Sequence, residues 1–132
     1  MLKNMNEPNS HNKLEKKFLP AAVQISPGGE IYLWPKDAIK LVKECEKEKY
    51  QIYGIDGMWI LEDGVRPDTG HDINFSSEYL DLKERLTKAG KLEELPDERD
   101  YYTSAETYKK TIEFIQKRAH LENLTFIICC DE

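Results

Sequence analysis

Tyr50-Gln51-Ile52-Tyr53-Gly54-Ile55-Asp56-Gly57-Met58-Trp59-Ile60-Leu61 is an apolar run with one carboxylate, Asp56, set between Ile55 and Gly57 and preceded by Gly54. β-Branched and aromatic residues in this density predict a strand in or near the interior of a sheet. Glycines on both sides of a lone charge predict that something comes close to the backbone there. The alternative is a long strand interrupted by a bulge. On strict alternation Trp59 shares a face with Tyr53, Ile55 and Leu61, opposite Ile52, Gly54, Asp56, Met58 and Ile60. A bulge at the glycines would break that parity.

Immediately upstream, Ala38, Ile39, Leu41, Val42 and Cys45 form the apolar stripe of a helix from about Pro35 to Lys49, with Pro35 in its first turn. Helix and strand follow each other almost without a linker. Further back, Glu30 to Trp34 reads as a brief strand or the lead-in to that helix, and Ser26-Pro27-Gly28-Gly29 as a turn. Phe18 to Ile25 is a short apolar segment, and residues 1–17 read as a flexible polar leader with little to pack.

Downstream of the strand, Glu62-Asp63-Gly64 predicts a turn, and Val65 to Asn74, rich in Pro, Gly, Asp and Thr, a loop. A second helix starts at Phe75 with Ser76 or Ser77 as its cap, and Gly90 interrupts or ends it. Glu93 to Asp100 reads as an acidic loop. A third helix begins at Thr103 or Ser104, with Tyr108, Thr111, Ile112, Ile115 and Ala119 facing inward. Leu124 to Cys130 is nearly all apolar and predicts a terminal strand, central in its sheet. The expected fold is α+β: a small β-sheet packed against two or three helices, with residues 18–132 as a single domain.

The 132 residues suffice for one sizeable core. Nineteen basic against twenty-five acidic residues give a net charge of -6. That argues against a general nucleic-acid binder, which needs a basic face to displace counterions from phosphates. It suits a protein that meets a basic partner. No apolar stretch approaches the roughly 20 residues of a membrane span, and the polar N-terminus lacks a signal-peptide core, so a cytoplasmic protein is expected. Cys45, Cys129 and Cys130 read as reduced thiols, since adjacent cysteines on a strand point to opposite faces and no Cys-x-x-Cys pair supports zinc. No cofactor is implied.

Candidate chemistry is sparse. His71-Asp72 invites an acid/base reading, because a carboxylate beside an imidazole orients it and raises its pKa. General acid–base work needs groups that converge in space, which adjacency in a loop does not supply. Asp56, Glu62, Asp63, Asp68 and Asp72 lie within one strand and the segment after it. They lack the ligand spacing of a calcium loop, so a carboxylate surface for arginine or lysine is the stronger reading beside a simply solvated loop. Trp34, Tyr53, Trp59 and Tyr79 are either interface anchors or core. There is no Gly-x-Ser-x-Gly, no phosphate-binding glycine loop, and no cysteine in an activating context, so no catalytic residue is assigned.

The order Trp34-Pro-Lys-Asp-Ala-Ile-Lys-Leu-Val42, then Ile52-Tyr-Gly-Ile-Asp-Gly-Met58, then Ser104-Ala-Glu-Thr-Tyr108, Phe114-Ile115 and the apolar C-terminal strand resembles the immunity protein 40 family of bacterial polymorphic-toxin systems. The resemblance spans Trp34 to Cys130. It implies a small cytoplasmic protein without catalysis of its own that binds and blocks a cognate toxin domain. Nuclease toxins grip phosphates and tend to be basic, so an acidic inhibitor can compete for the same surface. The expected contact residues are Asp56, Glu62, Asp63, Asp68 and Asp72, with Trp59 or Tyr79 as anchors. Two alternatives stay open: a ligand-binding or regulatory module with a pocket between sheet and helices, and a hydrolase using His71 and Asp72. A homodimer is also open, through Tyr50–Leu61 as an edge strand.

Overall fold

A computed structural model describes residues 11–132, apart from the side chains of residues 70 and 71. The α+β expectation holds. A three-stranded antiparallel sheet has the order β4-β3-β5, formed by β3 (Gln51–Leu61), β4 (Gly64–Asn74) and β5 (Leu124–Asp131). A two-stranded ribbon pairs β1 (Gln24–Ile25) with β2 (Ile31–Tyr32) across the turn at Ser26–Gly29. Leu33, next after β2, exchanges hydrogen bonds of 3.0 and 2.8 Å with Phe126 and so covers the outer edge of β5. The helices are α1 (Lys13–Phe18), α2 (Pro35–Glu48), α3 (Phe75–Lys88), α4 (Glu98–Tyr102) and α5 (Ala105–Arg118).

Helix α2 packs against β5 and against α5, which in turn packs against β3. Between these layers lie Leu41, Val42 and Cys45 from α2, Ile52 and Ile55 from β3, Ile115 from α5, and Leu124 and Phe126 from β5, all almost fully buried. Strand β5 reads as a continuous apolar run because Leu124 through Ile128 are buried on both faces. It is nevertheless β3, not β5, that is paired on both sides within the sheet. That pairing closes the route to a homodimer through Tyr50–Leu61, since the strand has no free edge.

The two glycines of β3 explain its register. Against β5 the pairing shifts between Ile52 and Gly54, leaving Tyr53 as the extra residue of a bulge. The parity expected from strict alternation is thereby broken, and Ile52 and Ile55 both enter the core. A Cβ on Gly54 would lie 2.6 Å from the Ile73 carbonyl oxygen, and one on Gly57 3.1 Å from Asp68 Cβ. What comes close to the glycines is the neighbouring strand.

That neighbour was expected as a loop and is β4. Its composition of Pro, Gly and Asp disfavours a strand, but β3 supplies a complete backbone template. Asp56 pairs with Asp72 and Met58 with Pro67, so residues 68–71 bulge out opposite the single residue Gly57. Pro67 is tolerated because β4 lies at the edge of the three-stranded sheet.

Other boundaries also move. Residues 11–17, expected in the leader, are packed. Asn12 and Glu15 form a reciprocal capping box with two bonds of 2.9 Å, Leu14 is buried, and His11 Nε2 donates to the Gly29 carbonyl. The rest of the leader, 1–10, lies outside the described residues. Asn74, not Ser76 or Ser77, caps α3, its side chain accepting from Ser77 N at 3.0 Å. Ser104 caps α5 as expected. The acidic stretch 93–100 contains a 3-10 turn and the start of α4, capped by Asp97.

Candidate functional site

The face of the sheet turned away from α2 and α5 carries the charge. Asp56 on β3 stands directly opposite Asp72 on β4, and opposite Ile127 on β5. Directly opposed side chains in an antiparallel pair have Cβ atoms roughly 4.5–5.5 Å apart, close enough for like charges to repel. Glu30, from the β1–β2 turn, completes the group. Two shallow hollows of about 250 and 350 Å³ share Asp56 and Asp72. The first extends to Asn74, Ser76 and Cys129, the second to Glu30, Met58, Pro67 and Ile127.

Asp56 is half-buried. Desolvation, then Asp72, then Glu30 raise its carboxyl above the usual carboxylate range. The named charges acting on it are thus both negative. The same surroundings push the Cys129 thiol up to about 11, burial first and then Asp56 and Glu30, so it is a poor nucleophile at neutral pH.

The five predicted carboxylates do not form one surface. Asp56 and Asp72 share the face turned away from α2 and α5. Glu62 and Asp63 form the two-residue tip of the β3–β4 hairpin, six residues farther along β3, which is roughly 20 Å at strand rise. Asp63 pairs there with Arg66 at 2.8 Å, an exposed pair of little energetic weight. Asp68, in the bulge, lies half-buried over Gly57 and lines the second hollow together with Asp56 and Asp72, so three of the five come together.

Of the predicted anchors, Trp59 is half-buried on the opposite, core-facing side of β3, bordering α5. Tyr79 is corrected outright. It is 6% exposed, its hydroxyl donates to the Pro96 carbonyl at 2.7 Å, and its ring stands edge-on to Tyr101 at 5.2 Å. Burial in this tyrosine cluster, which Tyr53 and Tyr102 extend, removes it from any contact surface. Trp34 is exposed at the start of α2. Sequence reasoning missed Glu30 and Cys129. The glycine turn before Glu30 gave a local signal for a bend, but nothing local indicates that the bend brings Glu30 to Asp56.

The side chain of His71, and with it the His71–Asp72 pair, lies outside the described residues. Among the described residues no three His, Cys, Asp or Glu side chains are grouped to hold a metal ion, and no helix is long and apolar enough to cross a membrane. No protein-family model matches this chain, and no curated protein matches it.

Proposed function

We propose that this chain is a binding protein whose acidic sheet face receives cationic side chains of a protein partner, and that within this class it is a cytoplasmic immunity protein that neutralises a cognate toxin domain. The observation that carries the reading is the grouping of Asp56, Asp72 and Glu30 around one hollow, where Asp72 and Glu30, among the described residues, disfavour the ionised form of Asp56. An arginine placed between Asp56 and Asp72 would relieve their repulsion and donate bidentate hydrogen bonds to a carboxylate. The immunity reading within this class rests on the resemblance of Trp34 to Cys130 described above. A flat acidic sheet face suits a basic protein surface better than it suits a small ligand, whose sites are enclosed and mostly apolar.

The test is capture from the native host with the tagged chain, followed by mass spectrometry. The expected result is one partner at one-to-one stoichiometry, carrying a domain that kills cells lacking this chain. Reversal of Asp56 and Asp72 to lysine should abolish capture, whereas reversal of Asp63 at the hairpin tip should not. Capture that survives the Asp56/Asp72 reversal overturns the assigned face, and a captured partner without toxicity overturns the immunity reading.

A further inference from the structure

On the other side of the sheet, a trough runs between β4 and α5. It consists of two adjoining hollows of about 370 and 270 Å³. Trp59 and Leu121 line one, Ile73 and Phe114 the other, and Lys117 and Arg118 line both. The apolar side chains are in place but incompletely covered: Trp59, Ile73 and Leu121 are all half-buried. Arg118 is fixed, its guanidinium 3.8 Å from the centre of the Phe114 ring and donating to the Phe114 carbonyl at 3.2 Å.

The rim is cationic in a protein of net charge -6. Lys110, which lines the second hollow, and Lys117 are exposed and stand seven residues apart on α5. That is two helical turns, roughly 10 Å, along one side of the helix. Between them sits Glu113, and Asp68 closes the far end. A nucleic-acid backbone, charged at every unit, would meet these carboxylates and the net negative charge of the molecule. Carboxylates spaced two turns apart meet the lysines and avoid Glu113.

We propose that this trough docks an acidic amphipathic helix of a protein partner, its apolar stripe on Trp59, Ile73 and Leu121 and its carboxylates on Lys110 and Lys117. Recognition of this kind combines apolar anchors at helical spacing with a charged rim that sets orientation. Asp68 and Ile73 border both sites, but the trough differs from the acidic face in charge and is tested through Lys110 and Lys117, which line neither acidic hollow, so it stands or falls independently of that reading.

The chain has two tryptophans, so Trp34→Phe leaves Trp59 as the sole fluorescent reporter in the trough. Into this variant one titrates a stapled helical peptide with a leucine stripe flanked by glutamates at two-turn spacing. Controls are the same peptide with lysine for glutamate, and a single-stranded oligonucleotide. The expected result is a saturable change in Trp59 emission with the glutamate peptide alone. The pair Lys110→Glu and Lys117→Glu should weaken binding about tenfold, the sum of exposed attractions lost and repulsions gained. Should that pair disturb folding, as judged by circular dichroism, Lys110→Gln with Lys117→Gln serves, with a smaller loss expected. No saturable change, equal binding of the lysine peptide, tighter binding of the oligonucleotide, or affinity unaffected by the lysine substitutions overturns the proposal.

Discussion

Strands β4 and β5 flank the same strand and are held to it by different means. β5 presents five consecutive buried residues, Leu124 to Ile128, and Leu33 bonds its outer edge. β4 presents Pro67, Asp68 and Asp72, and breaks its ladder to let residues 68–71 bulge out. The first is fixed by apolar burial on both faces, the second by a close backbone fit over two glycines. Burial is felt by the whole fold, whereas a backbone fit is felt where it occurs. Substitutions on the two sides should therefore differ in reach as well as in size.

The largest effect is expected at Phe126. Its ring is fully buried, 6.0 Å and edge-on from Phe114, beneath the bond to Leu33. Phe126→Ala should lower unfolding free energy by about 3–5 kcal/mol through lost transfer energy and a cavity. Urea unfolding monitored by circular dichroism should show a lower midpoint, with amide exchange faster throughout β3, β4 and β5. Exchange that accelerates in β5 alone would break the contrast drawn between the strands.

Gly54→Ala tests the other side. The new methyl would meet the Ile73 carbonyl oxygen at 2.6 Å, a backbone atom that cannot swing away as a side chain does. The expected cost is about 1–3 kcal/mol, as for other overpacked sites. Amide exchange should rise in β4 while β5 keeps its protection. A uniform loss of protection would mean that the two strands form one cooperative unit.

The same difference decides what could be read in advance. β5 and α2 were legible because their burial is written in their own side chains: an unbroken apolar run and a stripe at helical spacing. β4 was not, because the reason for its extension resides in the backbone of β3. The glycines of β3 did signal a close approach, but not by what. The carboxylates were legible as a set along the chain and illegible as a surface. The hairpin tip separates Glu62–Asp63 from Asp56, Asp68 and Asp72, and a distant turn adds Glu30. Tyr79 reads from the sequence as either anchor or core because an aromatic residue on a helix looks the same whether it meets solvent or Tyr101. Leu14 and the Asn12 cap were overlooked because a single buried leucine in a polar segment has no periodicity to reveal it.

The smallest effect concerns the face that β3 and β4 build together. Asp56 holds its proton more readily in the folded chain than in an unfolded one, first through desolvation and then through Asp72 and Glu30. The ionised form is therefore penalised by folding. The penalty is full above the raised folded pKa and is relieved as pH falls toward the ordinary aspartate value of about 3.9. Asp56→Asn removes it, so the variant should be more stable than the parent at neutral pH. The gain should not exceed about 1 kcal/mol, because the group is half exposed and solvent screens the repulsion. Thermal unfolding from mildly acidic to neutral pH should show the two curves converge at the acid end and separate as pH rises. Loss of stability at neutral pH would instead mean that the Asp56 carboxylate has a favourable partner within the chain. If the face receives a cation from a partner, the substitution that stabilises the free protein also weakens the complex. A repulsive pair of carboxylates that folding tolerates and binding relieves has the energetic form of a recognition site.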